Sequence, residues 1–148
     1  ISLYNKSKLY QEIINTTTSS LDRFDIKSDL LYARAMAYES LGDINLMEKD
    51  LLQILSIDKK NSNTLNALGY SLLIHTYRYD EAYEYIIEAY TYDPGNAAII
   101  DSLAWALFKT NNYSEALGYA GSSGGCAAAA GETQGLFGAS PDVTITIK

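Results

Sequence analysis

Residues 62–117 read SNTLNALGYSLLIHTYRYDEAYEYIIEAYTYDPGNAAIIDSLAWALFKTNNYSEAL. The apolar positions fall at helical spacing: Leu65, Leu68 and Leu72, then Ala82, Ile86 and Ala89. Asn61 and Ser62 stand before the first run as N-cap candidates, because their short polar side chains can accept a free first-turn N–H. Pro94 and Gly95 stop the second run, since proline cannot continue a helix and glycine accepts its end geometry. Asn96 opens a third helix, AAIIDSLAWALFKT. The turn NNY leads into SEAL, with Ser114 as a candidate cap. Every unit is therefore a pair of amphipathic helices.

Working outward, the pattern repeats every 34–35 residues. Small residues recur at Ala35, Gly69 and Ala104, each preceded by Arg34, Leu68 or Leu103 and followed three residues on by Tyr38, Leu72 or Leu107. A second series is Met47, Ala82 and Ala116; a third is Asn61 and Asn96. Several series sharing one period mark a helix–turn–helix repeat. The small residues allow the paired helices to approach to the usual ~8–10 Å. Unit two has one residue more than unit three, which the spacing places in the inter-helix turn near His75–Tyr79.

These residues resemble the tetratricopeptide repeat, whose signature runs Leu-Gly, an aromatic, then Ala, an aromatic, Ala and Pro. Unit two matches best, with Leu65, Leu68-Gly69, Leu72, Ala82, Ile86, Ala89 and Pro94. Unit three has Ile100, Leu103-Ala104, Leu107, Tyr113 and Ala116. Unit one has Leu31, Ala35, Tyr38, Gly42, Leu51 and Ile54, but departs at Arg34, Met47 and Lys59. The resemblance covers about 28–117 and implies an all-α solenoid of about three antiparallel helix pairs. The divisions are 1–27 as a degenerate preceding helix, then 28–61, 62–96 and a truncated 97–117. LLYARAMAYESLGD, LNALGYSLL and DSLAWALFKTNNYSEAL are similar to bacterial members with many repeats. Those members are commonly exported or anchored as outer-membrane lipoproteins, and some are scaffolds, including envelope protease adaptors. That similarity implies a periplasmic or outer-membrane-associated setting, with the cytoplasm left open. The chain opens on Ile1 rather than Met, which reads as a piece of a longer protein.

In that family the first helix of each pair lines a concave groove. The positions that carry over are Tyr32, Met36 and Glu39 from unit one. Asn63, Asn66, Tyr70, Leu73 and Ile74 come from unit two, and Asp101, Trp105, Phe108 and Lys109 from unit three. The resemblance implies a protein or peptide partner held there, with amide and carboxylate side chains gripping a backbone and aromatics supplying contact area. Asn66, Asp101, Tyr70 and Trp105 are the leading candidates. The alternative is a set of spacer repeats that only set curvature in a longer scaffold. Arg34 stands at an apolar position, so its stem is expected to pack and its head to pair with an acidic neighbour. Glu81, Glu84 and Glu88 share one helical face and read as a solvated stripe.

Composition narrows the function classes further. The 148 residues carry a net charge of −7, which argues against nucleic acid as a partner. No run reaches the ~18 apolar residues of a membrane span. One cysteine, Cys126, and one histidine, His75, leave neither a disulfide framework nor a Cys/His zinc site, so no cofactor is expected. Cys126 lies in a Gly/Ala segment with no base near it in sequence. No Lys-Ser/Thr follows Gly121, Gly124 and Gly125 to make a phosphate loop. A non-enzymatic module is the reading that remains.

Composition changes at residue 118. Seven of the ten glycines fall in 118–148, whose charges are Glu132, Asp142 and Lys148 alone. This reads as a low-complexity tail, whether natural, an expression scar, or a frameshift or fusion product, with a short strand at 143–148. A truncated third unit lacks a polar capping helix, so fraying and self-association are expected at that end.

Overall fold

The computed structural model describes residues 3–21 and 27–122, with side chains to Tyr119. The expected strand at 143–148, Cys126 and nearly all of the Gly/Ala tail lie outside the described residues. Those described form seven helices and no strand. They are α1 (Leu3–Leu21), α2 (Lys27–Leu41), α3 (Ile44–Ile57), α4 (Ser62–His75), α5 (Tyr79–Tyr92), α6 (Ala97–Lys109) and α7 (Tyr113–Ser122). Short connections fold α2 onto α3, α4 onto α5 and α6 onto α7 as antiparallel pairs, and α1 packs on α2. The architecture is an α-solenoid.

The periodic residues build a main core, with a smaller cluster of Leu65, Ala89 and Ile99 beside it. Leu31 and Ala35 meet Met47, Leu51 and Ile54; Leu68 and Leu72 meet Ala82 and Ile86; Leu103 and Leu107 meet Ala116. Each fully buried Leu or Ile contributes ~1.5–3 kcal/mol relative to exposure, which fixes the face each helix turns inward. Gly69 is the tightest point. A Cβ there would lie 2.6 Å from Ile86 Cγ1 and 2.8 Å from the Ala82 carbonyl oxygen.

The unit boundaries use one device twice. Asn61 Oδ1 accepts from the Thr64 N–H at 3.0 Å, and Asn96 Oδ1 from the Ala98 N–H at 3.1 Å. Each Asn amide also reaches back to an aspartate three residues earlier: Asn61 Nδ2 to Asp58 at 3.4 Å, Asn96 Nδ2 to Asp93 at 3.0 Å. Ser114 is no cap, because α7 begins one residue before it.

The turns within units differ in a way the spacing does not reveal. In unit one Gly42 takes φ +84°, with the Gly42 N–H on Glu39 O and the Asp43 N–H on Tyr38 O, both at 2.9 Å. This is the paired bonding that closes a helix through a left-handed residue. In unit three Asn111 takes φ 65°, with N–H bonds from Asn111 to Phe108 O and from Asn112 to Leu107 O. Unit two lacks a left-handed residue. Thr76 is extended and its hydroxyl donates to Leu72 O at 2.6 Å. Against unit three the extra residue of unit two lengthens α4, 14 residues against 13 in α6; against unit one, whose turn is 42–43, it lengthens the turn, to 76–78. α7 runs on to Ser122 despite Gly118 and Gly121, with Tyr119 edge-on to Tyr90 at 5.6 Å.

Arg34 pairs as its sequence context implies. Its Nε and Nη2 donate to the two carboxylate oxygens of Asp50, both at 2.7 Å, and Nη1 donates to Thr18 Oγ1 at 3.0 Å. Asp50 is 2 % exposed, so this fork supplies the charge and hydrogen bonds that its burial demands. Arg34 thus ties α1, α2 and α3 together, and its hydrogen bond to Asp50 raises its pKa.

Candidate functional site

The antiparallel pairing sets α2, α4 and α6 side by side and parallel, and their facing stripes line one cleft of about 1130 Å³. Helical spacing explains the lining. From α2 come Ser28, Asp29, Tyr32, Ala33, Met36 and Glu39, two adjacent pairs and their neighbours three or four residues on, which keep to one face. From α4 come Asn63, Asn66, Ala67, Tyr70, Ser71 and Ile74. From α6 come Ala98, Asp101, Ser102 and Trp105. Ile54 of α3 and the cap Asn61 complete the wall.

The cleft thus brings together Tyr32, Met36, Glu39, Asn63, Asn66, Tyr70, Ile74, Asp101 and Trp105 of the residues expected in the groove. Three others are elsewhere. Leu73 is only 2 % exposed and belongs to the core, because it stands one turn after the buried Gly69 on the face that packs inward. Phe108 stacks on Trp105 at 5.4 Å and meets the Tyr113 ring of α7 edge-on at 5.4 Å. Lys109 lays its ammonium over the rings of Trp105 (5.1 Å) and Tyr79 (5.5 Å), beside the cleft. Asp29, Ala98 and Ser102 were not anticipated. Asp29 lies one turn before Tyr32, so extending the stripe backwards finds it.

Two polar atoms in this lining lack partners. Asn66 Oδ1 and Trp105 Nε1 are both shielded from solvent, and neither finds a hydrogen-bond partner among the described residues. One is an acceptor and the other a donor. Buried polar groups are nearly always paired, so two orphans in one cleft are informative. At the end of the α2 stripe, Ser71 Oγ donates to Glu39 Oε1, and His75 Nε2 stands 3.3 Å from the same oxygen. The Ser71 proton therefore points at a carboxylate and not at the imidazole. Burial, and then the Glu39 charge, push the Tyr32 phenol above its ordinary pKa. Among the described residues no group of His, Cys, Asp or Glu could hold a metal ion, and no helix is long and apolar enough to cross a membrane.

The outer surface has its own ion network. Arg78 donates to both carboxylate oxygens of Glu48 at 2.8 Å and to Glu81, tying α3 to the start of α5. Glu81 is thereby held ionised, its pKa lowered by the Arg78 hydrogen bond. The Glu stripe of α5 is thus partly engaged, with Glu84 and Glu88 left exposed.

Comparison with known proteins agrees with the repeat fold. Two family models, each described as tetratricopeptide repeat, match residues 28–61 and 73–119, together more than half of the chain. A TPR repeat-containing protein of Pseudomonas aeruginosa is 40 % identical over 91 residues. That match takes in 62 % of this chain but 15 % of the relative, so the chain spans a small part of the relative's length.

Proposed function

We propose that this chain, which belongs to the tetratricopeptide-repeat family, holds a peptide segment of a partner protein in the cleft between α2, α4 and α6. Repeats of this family mediate protein–protein interaction and are typically non-enzymatic. The observation that carries the reading is the open lining of the cleft: Tyr70 and Ile74, 45 % and 47 % exposed, offer apolar contact area, and the exposed Asn63 amide stands in the same wall. Asn66 and Trp105 line it too, each with a polar atom that is buried and without a partner among the described residues. The cleft is larger than the ~300–1,000 Å³ common for small-molecule sites, which favours a chain segment as occupant.

Selection from a displayed random peptide library against the whole chain tests this. Trp105 is the sole tryptophan, so its emission reports occupancy of the cleft directly. Enriched peptides should shift that emission. Asn66→Ala should weaken them by about 1 kcal/mol, roughly fivefold in Kd. Tyr70→Ala should cost more, about 2 kcal/mol, as an aromatic anchor does. Peptides that bind without moving Trp105 and ignore both substitutions would overturn the reading. Failure to enrich any peptide would leave the repeats as spacers.

A further inference from the structure

The charges lining the cleft share one sign. Asp29 and Glu39 mark the two ends of the α2 stripe, ten residues or ~15 Å apart along the helix, and Asp101 stands on α6. Among the described residues no Lys, Arg or His lines the cleft. At its edges His75 stands 3.3 Å from Glu39, and Lys27 opens α2 two residues before Asp29. Arg34 is bound to Asp50, Arg78 to Glu48 and Glu81, and Lys109 lies over two aromatic rings. Glu39 is held in place by the Ser71 hydroxyl. Between the carboxylates the surface is apolar, formed by Tyr32, Met36, Tyr70 and Ile74.

Resting on the groove-binding reading above, we infer that the occupant is a basic, extended segment of another protein. Its Lys or Arg side chains sit toward Asp29 and Glu39, and its aliphatic side chains lie on the apolar strip between them. Charge complementarity of this kind sets selectivity and encounter rate more than raw affinity. The same field disfavours acidic segments and free carboxyl ends, because the cleft has no cation to receive them.

Three blocked, fluorescein-labelled peptides of equal length separate the possibilities, alternating Leu with Lys, with Gln or with Glu. Anisotropy measured on the whole chain should rank Lys about tenfold tighter than Gln, and Glu weakest. Added salt should narrow the gap. Asp29→Asn with Glu39→Gln should collapse the Lys-to-Gln ratio. Asp29→Asn alone, at an exposed position, should lower the ratio partway. Glu84→Gln with Glu88→Gln, on the outer face of α5, should leave the ratio intact. An equal drop in that outer-face control, or a Glu peptide as tight as the Lys peptide, overturns the inference. If the Gln peptide binds and moves Trp105 emission as well as the Lys peptide does, the charge selectivity falls and the groove reading stands. If none of the three binds, both fall.

Discussion

Replacing Gly69 with alanine adds one methyl and sets two effects of similar size against each other. In a helix interior alanine is favoured over glycine by ~0.8–1.0 kcal/mol. Here the new Cβ would meet Ile86 Cγ1 at 2.6 Å, the Ala82 carbonyl oxygen at 2.8 Å and Ile86 Cδ1 at 3.2 Å. The Cδ1 end can turn aside. The carbonyl belongs to the α5 backbone, and Ile86 is wholly buried, so α4 and α5 must separate instead. Overpacking of a tight core costs ~1–3 kcal/mol, and a clash with backbone belongs in the upper half of that range. Less the helix-propensity gain, the net loss is about 1–2 kcal/mol. Urea unfolding followed by far-UV circular dichroism measures it, with Trp105 emission as a second probe. Two probes are needed because a repeat array can lose one unit before its neighbours. Ile86→Ala alone should cost ~2–5 kcal/mol and leave a cavity. In the Gly69→Ala background it should cost about 1 kcal/mol less, because the added methyl then occupies freed space. A Gly69→Ala protein as stable as the parent, or one whose loss adds to that of Ile86→Ala within ~0.5 kcal/mol, refutes the close-approach argument.

Other perturbations follow from the same contacts. Arg34→Met strands the buried Asp50 carboxylate and should cost ~3–5 kcal/mol; adding Asp50→Leu should recover most of that in a thermal melt. Asn61→Ala removes a cap bond to Thr64 and should cost ~1 kcal/mol, with faster amide hydrogen exchange confined to the first turn of α4. The Tyr32 phenol should ionise above the ordinary value near 10, seen as the difference in ultraviolet titration between the parent chain and Tyr32→Phe. Its raised pKa means the unfolded chain loses that proton first. This contribution to stability is therefore complete below pH ~10 and is lost as pH rises through the folded value.

The repeat was legible because it is carried by local spacing. Leu65, Leu68 and Leu72 follow helix periodicity whatever surrounds them, and Asn61 and Asn96 cap what comes next to them in the chain. The partner of Arg34 was legible only as a type, since a half-buried guanidinium needs an acid but the helical pattern does not say which. Leu73 shows the limit at the site. Carrying a groove stripe forward by family position placed Leu73 and Ile74 together, yet Leu73 stands one turn after the buried Gly69 on the core face, while Ile74 stands one turn after Tyr70 on the cleft face. Phe108 and Lys109 were misplaced for a second reason: α7 and Tyr79 reach them, and neither contact is readable from α6 itself.

The sequence alone determined the helices, their pairing and which faces turn inward, because those depend on residues within one or two turns of each other or on a period that repeats along the chain. It determined the negative sign of the surface as well. Only the tertiary structure decided that Asp50 is the buried partner of Arg34, that the turn of unit two closes without a left-handed residue, and that Asn66 Oδ1 and Trp105 Nε1 are both left unpaired in the walls of one cleft. Each of these rests on atoms 16 or more residues apart, or on a choice between two ways of ending a helix. Packing settles such matters by what space and which partners remain once the core is filled.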